Sequence, residues 1–492
     1  MSLKEDSTNS LRGTIMAPML ESKDGPGSAI KVKGSQKMLR VLLTTISLSL
    51  AGLHFGYYLA IFNPMGDPLL THVYNYDHTT KSEVLGNINM LYGFGALLGA
   101  SITGNLAETI GRRPLVFIYD FCSIMVVLSY SIKNIHVLYL VRLCSGFFGV
   151  GGYMLATVVQ AELLPKKIAP FCNGFASLVL ATSVFSAYMT QDIFSSEYLV
   201  ENWRQVFCWT ALIGILKIML VLTFVRTDTP KYIIGKYYQS RDREERLVRV
   251  ISMYNPDSEL DEALKQCKLV YEKEKVVRSG SVWKLLMSRD IRKRLCAGIL
   301  INVAQQMTGN PFFAMYSTDL FNRISGSGKQ ATFYLAISKI IGAVIQFSIV
   351  KYIGRKVNFT VGVSGQFIGM CLVVISVYEK IGFLAYIGIC LFMSCFALGV
   401  GGSCFIFLNE ILPPVGVSVS TALSWLTNSI IVKLLPILSD AFGDLALLFF
   451  FACCCLIILG LVDYLVIETK GKTESAVIVE YATRKYTPLN FK

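Results

Sequence analysis

Twelve apolar stretches of 18 residues or more succeed one another along the sequence, each long enough to cross about 30 Å of hydrocarbon as a helix. They fall near 41–62, 84–106, 115–132, 137–158, 171–190 and 206–225, then 295–317, 331–352, 359–378, 383–408, 415–435 and 445–467. A water-soluble core does not need such runs. Only 16% of the 492 residues are charged, against about a quarter in soluble domains, which also excludes a disordered chain. The expectation is an all-α membrane protein with twelve transmembrane helices in two six-helix units.

Net charge +13 raises the question of where the cations sit. They cluster at 31–40, at Arg112 and Arg113, at Lys166 and Lys167, between 226 and 294, at 351–356 and after 470. The intervening connections, such as 64–83, are acidic or neutral, so the bias is the positive-inside pattern and no nucleic-acid partner is needed. Both ends are then expected in the cytosol. The expected organisation is a cytosolic N-terminal segment (1–37), a first unit (38–226), a cytosolic helical linker (227–293), a second unit (294–468) and a cytosolic tail (469–492). The linker has helical patterning around 241–253 and 257–277 and reads either as a solvated connection or as a partner-binding module. The polar first 36 residues lack the apolar core of a cleavable signal. None of the thirteen cysteines falls in an outer loop, so no disulfide framework is expected.

The two halves repeat. Gly111-Arg112-Arg113 returns as Gly354-Arg355-Lys356, 243 residues on; Glu162-Leu-Leu-Pro165 returns as Glu410-Ile-Leu-Pro413, 248 on; Asp228-Thr229 faces Glu468-Thr469 at 240. Three landmarks at nearly one offset indicate two parallel repeats with a cavity between them.

These landmarks, with Gly104 to Arg113, Arg142, Gly146, Trp203-Arg204, Asp228-Thr-Pro-Lys231, Gln305-Gln306-Met-Thr-Gly309 and Glu468-Thr-Lys-Gly471, make the chain resemble the sugar porter family of the major facilitator superfamily. Within it, the similarity is greatest to facilitative glucose transporters and spans residues 40–471. The resemblance implies a multi-pass carrier in the plasma membrane with a monosaccharide substrate. It also implies a latch of ion pairs among Glu108, Arg112, Arg113, Arg142, Glu162, Asp228, Lys231, Arg355, Lys356, Glu410 and Glu468. In the resembling carriers the Gln305-Gln306 pair contacts the hexose, and Asn310, Tyr316, Trp425 and Asn428 lie where the same helices present further contacts.

Independently, two adjacent amides inside an apolar helix are costly unless satisfied, so Gln305 and Gln306 should face a wet cavity or a helix-packing partner. Amides both give and accept hydrogen bonds, as sugar hydroxyls require. Where proton-coupled relatives carry an acid in the first span, this chain has Tyr58, which favours downhill uniport. Glycines at 95, 99, 146, 149 and 151 lie in apolar helices and read as close packing rather than a phosphate loop. No metal-ligand or nucleophile spacing is visible, so neither cofactor nor enzymatic activity is expected. His54 reads as a packed residue.

Lysines depart from the pattern. Lys351 stands where the second half of the family has an acid, and Lys217, Lys339 and Lys433 lie inside spans. A mid-membrane charge costs about 2.5–3.5 kcal/mol on insertion scales, so a lipid-facing position is unfavourable. Lys339 fits three roles: a donor to a sugar hydroxyl, an anion-binding group, or a change in a chain that transports poorly. The expected function is facilitative hexose transport, glucose first. The alternatives are a transport-poor sugar sensor or receptor-like paralogue, and a carrier of an anionic small solute using Lys339.

Overall fold

The computed structural model describes residues 34–165, 168–193, 200–236, 242–265, 267–268, 289–325, 328–349, 352–472 and 474–483. Most of the N-terminal segment, the 269–288 part of the linker, Lys166, Lys167 and Lys351 lie outside them. Among the described residues all regular structure is helical.

The first half contains α1 (Gln36–Val73), α2 (His78–Thr109), α3 (Arg112–Ser129), α4 (Ile135–Leu163), α5 (Ala169–Ile193) and α6 (Trp203–Phe224). Short α7 (Pro230–Lys236) and α8 (Arg243–Tyr254) follow. The second half contains α9 (Arg289–Met307), α10 (Asn310–Ser325), α11 (Gly328–Ile349), α12 (Arg355–Glu379), α13 (Gly382–Ile411), α14 (Pro414–Phe442) and α15 (Asp444–Leu465), with α16 (Glu474–Thr483) after it.

Nine helices among the described residues are long and apolar enough to cross a membrane: α1, α2, α4, α6 and α11 to α15. α3 is lowered by Arg112, Arg113 and Asp120, and α9 by Arg292, Lys293 and Arg294. Outward faces are apolar at helical spacing. On α6, Leu212, Ile215, Leu216, Met219 and Leu222 are exposed, whereas Thr210, Gly214, Lys217 and Val221 are buried on the opposite face.

Two boundaries differ from the sequence reading. The expected single span at 295–317 is two helices, because Gly309 adopts φ +93° and ends α9 while Pro311 suits the first turn of α10. The stretch 64–83, expected as a connection, is largely helical. α1 continues through Pro64 and Pro68 into a π turn, Leu69–Val73, whose i→i−5 bonds (Tyr74 N to Leu69 O, 3.1 Å) absorb the irregularity the prolines create. α13 bends at Gly399 (φ −90°, ψ −104°). Gly95 of α2 and Gly146 of α4 bring those backbones together, as the packing reading expects.

The halves meet along two lateral seams. α2 lies on α14, with Gly93 against Ser429; α5 lies on α11, with Phe171 and Phe347 rings 4.7 Å apart. Toward the Asp67 end, α1 is tied to α10: Asn63 Nδ2 donates to Ala314 O (3.1 Å) and Ser317 Oγ (2.8 Å), and Thr318 N donates to Asn63 Oδ1 (3.2 Å).

Candidate substrate site and motif clusters

α9 and α14 build a ladder of amides and hydroxyls. Gln306 Nε2 donates to Ser424 Oγ (3.0 Å), Asn428 Nδ2 donates to Gln306 Oε1 (3.0 Å), and Ser424 Oγ donates to Asn302 O (2.7 Å). Asn302 Nδ2 donates to Ser420 Oγ (3.0 Å), and Gln305 Nε2 donates to Asn302 Oδ1 (3.2 Å). Residues 302 and 306 are one turn apart on α9, and 420, 424 and 428 share one stripe of α14, so two polar stripes zip together. Gln305, Gln306 and Asn428 were legible in advance. Asn302, Ser420 and Ser424 were not, although the four-residue polar spacing on α14 was the available signal.

The ladder leaves an acceptor open: the buried Oδ1 of Asn428 has no partner among the described residues, and neither has that of Asn310 at the start of α10. Asn428 faces the other half, since a Cβ on Gly93 of α2 would lie 3.3 Å from its Oδ1. Next to it, half-buried Trp425 reaches across the seam, its ring 6.0 Å from Phe55 and 6.4 Å from Tyr92. Phe55 lies 5.4 Å from Tyr153, so first-half aromatics unnoticed in the sequence complete this wall. Tyr316 is buried and donates to Val432 O (3.2 Å). With Phe312, Lys81, Asp67, Ser439 and Asp440 it lines a cavity of about 250 Å³ between the halves. Lys339 makes no hydrogen bond to the ladder among the described residues; its Nζ lies 5.9 Å from the Phe396 ring centre on α13.

Two pseudo-equivalent clusters explain the repeated motifs. In the first, Asp228 Oδ1 accepts from the backbone amides of Arg112 (3.0 Å), Arg113 (3.3 Å) and Thr229 (2.9 Å) at the start of α3. Glu162 accepts from Arg112 Nε (3.2 Å) and Thr229 Oγ1 (2.6 Å), with Lys231 Nζ at 3.6 Å. In the second, Glu468 accepts from the amides of Arg355 (2.8 Å), Lys356 (3.2 Å) and Lys470 (3.0 Å) at the start of α12. Glu410 accepts from Arg355 Nη2 (2.8 Å) and Thr469 Oγ1 (2.5 Å). Asp228 and Glu468 each cap a helix N-terminus, where free N–H groups and the helix dipole favour an anion. The preceding glycine leaves room: a Cβ on Gly111, itself at φ +109°, would meet Asp228 Oδ2 at 2.6 Å, and one on Gly354 would collide with Glu468. Lys356 also pairs with Asp463 (2.8 Å), which the sequence reading did not include, and Arg113 Nε donates to Val225 O (2.7 Å).

These contacts run within each half. Glu108 is exposed near the end of α2. Arg142 does not belong with them. It lies twenty residues before Glu162 on α4, about 30 Å along the helix. It is wholly buried, donating to Tyr58 O (2.6 Å), Ile88 O (3.4 Å) and Asn89 Oδ1 (3.3 Å) beneath the Phe62 and Tyr92 rings. Its place in the latch is therefore corrected to a brace among α1, α2 and α4. Tyr58 donates to Phe207 O (2.5 Å) and bonds Thr210 Oγ1 (2.6 Å), and His54 bonds Thr210 O (2.9 Å).

Burial raises both capping carboxyls, but the outcome differs. At Asp228 desolvation outweighs the amides of Thr229, Arg113 and Arg112, so its carboxyl titrates above the usual range. At less buried Glu468 desolvation is outweighed by the amides of Lys470, Arg355, Lys356 and Thr469, and its carboxyl is held below the ordinary 4.5.

A helical bundle with nine long apolar helices among the described residues has the build of a multi-pass membrane protein. A family model described as "Sugar (and other) transporter" matches residues 44–479, so the chain belongs to that family, sugar porters of the major facilitator fold and not enzymes. It is similar to the Glucose transporter GlcP of Staphylococcus epidermidis (24% identical, covering 80% of this chain and 87% of the relative). It is also similar to the Galactose-proton symporter of Escherichia coli K12 (24%; 89% and 94%) and to Solute carrier family 2, facilitated glucose transporter member 5 of Equus caballus (22%; 90% and 92%). Among solved structures, the proton:xylose symporter XylE bound to 6-bromo-6-deoxy-D-glucose superposes with TM-score 0.77 at 18% identity, over 90% of this chain and 100% of that one.

Proposed function

We propose that the chain is a facilitative hexose carrier, with glucose the first substrate to test, working by alternating exposure of a site between two six-helix units. In this reading α9 and α10 together count as one of twelve spans, the units and cytosolic linker follow the boundaries expected from the sequence, and both termini are cytosolic at the plasma membrane. The observation that carries it is the α9–α14 ladder, with an open buried acceptor at Asn428 one turn from a cross-seam tryptophan. Gln305, Gln306, Asn310 and Asn428 hold hydroxyls, and Trp425 and Tyr316 cover the ring. The clusters at Glu162 and Glu410 act as the conformational latch, with Glu108, Arg113, Lys231 and Lys356 at their edges. Relatives include both facilitated transporters and proton symporters. Uniport is supported here by Arg142, whose partners are carbonyls, an amide and rings, and by Tyr58, whose hydroxyl is engaged by the backbone and Thr210.

Labelled-glucose counterflow in proteoliposomes, with and without a pH gradient, tests the reading. Equal exchange in both conditions supports it; exchange that requires the gradient refutes uniport. Gln306→Ala should raise the half-saturation concentration severalfold, because it removes two rungs of the ladder; unchanged kinetics would take the ladder out of the site.

A further inference from the structure

Three lysines lie inside apolar spans, and two are partnered. Lys217 of α6 pairs with Asp120 of α3, both almost wholly buried. Lys433 of α14 donates to Asn87 Oδ1 (2.5 Å) and lies 3.9 Å from Glu83 on α2. Lys339 of α11 has neither hydrogen bond nor carboxylate among the described residues, only the Phe396 ring.

Its direction is fixed by the rest of α11. Tyr334, Ile341, Val344 and Ile345 are exposed along one face. Lys339 falls on the opposite stripe with Thr332, Leu335, Gly342 and Gln346, at three- and four-residue spacing. Thr332 bonds Thr318 of α10 (2.9 Å), a Cβ on Gly342 would meet Ala397 of α13 at 3.0 Å, and Gln346 donates to Ser403 of α13 (2.7 Å). Flanking that stripe, Phe333 and Phe347 pack on Phe185 and Phe171 of α5 in the other half. The ammonium therefore points into the interior, at the edge of the seam between the halves. Phe396 beneath it and Cys404, which donates to Asn302 of the ladder (3.4 Å), lie about two turns apart on α13.

We propose that Lys339 is an anion-binding arm of the central site, and that the carrier's substrates include sugar acids: a hydroxylated ring bearing one carboxylate, such as a hexuronate. The proposal rests on the hexose-carrier reading and names a further substrate class for the same site. The ladder and Trp425 take the ring, as for a neutral hexose, and the carboxylate takes the ammonium. A compact, strongly hydrated ammonium turned into the interior gains most from a full counter-charge, and a charge-assisted hydrogen bond is about twice as strong as a neutral one. Because the lysine stays with the protein, one turnover moves the substrate's negative charge, so membrane potential acts on the acid and not on the hexose.

Uptake of labelled glucose and glucuronate by the full chain in proteoliposomes, with a potassium diffusion potential of either sign, tests this. Both should enter; an inside-positive potential should raise glucuronate uptake and leave glucose uptake unchanged. Lys339→Gln should cut glucuronate uptake at least tenfold more than it cuts glucose uptake, and Lys339→Arg should keep most of both. Glucose uptake without glucuronate uptake, or glucuronate uptake indifferent to Lys339→Gln, overturns the proposal and leaves the hexose reading standing; uptake of neither overturns both. Should Lys339→Gln prove inactive for both sugars, the wild-type protein decides: glucuronate must compete with glucose uptake, and failure to compete overturns the proposal.

Discussion

At the residue scale, charges inside the bundle are governed by whether a partner is built in. The Lys217–Asp120 pair joins α6 to α3 with both groups removed from solvent. Removing one partner of a buried pair strands the other charge, at a cost of about 3–5 kcal/mol, whereas replacing both by apolar side chains is often neutral. Asp120→Asn should therefore lower the unfolding temperature in detergent sharply, and Asp120→Leu combined with Lys217→Met should recover most of the loss. A double variant as unstable as the single one would mean the pair does more than satisfy itself. The capping carboxylates carry opposite pH signs. Glu468 titrates below its unfolded value, so its contribution is present above pH 4.5 and is lost as pH falls through its lowered value. Asp228 titrates above its unfolded value of 3.8, so its contribution is present below that pH and is lost as pH rises. Glu468→Gln should accordingly destabilise at pH 7, with the difference from wild type shrinking below pH 4.5. Asp228→Asn should cost less at pH 7. Thermal unfolding across pH checks both.

At the element scale, the proposed site straddles the break between α9 and α10. The break separates the ladder residues of α9 from Asn310 and Tyr316 of α10. Gly309 makes the turn at φ +93°, and a Cβ there would lie 3.0 Å from Phe451 and 3.1 Å from Met370. Gly309→Ala combines backbone strain of roughly 1–3 kcal/mol with that crowding. It should lower glucose counterflow at least tenfold while the protein still purifies as a folded species; full activity would show that the turn is not needed. Here the limit of the sequence is plain. Apolar length located the helices, because the hydrocarbon thickness acts on each stretch alone. The break escaped because one glycine and one proline within an otherwise apolar run do not reveal on which side of them the helix stops. The ladder was half legible for a similar reason: Gln305 and Gln306 are conspicuous polar groups, whereas Ser420 and Ser424 acquire meaning only once α14 lies against α9. Arg142 was misplaced because its sequence neighbours do not tell which end of α4 it occupies; Asp228 and Glu468 stood out because the repeat displays them twice, but as latch residues, since their capping of α3 and α12 shows only in the fold.

At the scale of the whole molecule, alternating exposure requires contacts between the halves that form in one state and break in the other. The clasp at Asn63 fits that need. One side chain on α1 makes three hydrogen bonds to α10, and Tyr188 of α5 adds a fourth, to Ala314 O (2.6 Å). All four link opposite halves at the end where the 250 Å³ cavity lies, beside Phe312, Tyr316 and Leu435. Net contributions of about 0.5–1.5 kcal/mol per hydrogen bond make the Asn63 bonds sufficient to move a two-state equilibrium by tenfold or more, since 1.4 kcal/mol is one decade. They are not strong enough to lock it. Asn63→Ala should therefore shift the population toward the state open at this end without unfolding either half. A cysteine introduced at Leu435 would report the shift as at least severalfold faster labelling by a membrane-impermeant maleimide, measured against the same cysteine with Asn63 intact. Saturating glucose should slow the labelling again if closing around the substrate restores the clasp. Identical labelling rates with and without Asn63 would show that the clasp does not set the conformational balance.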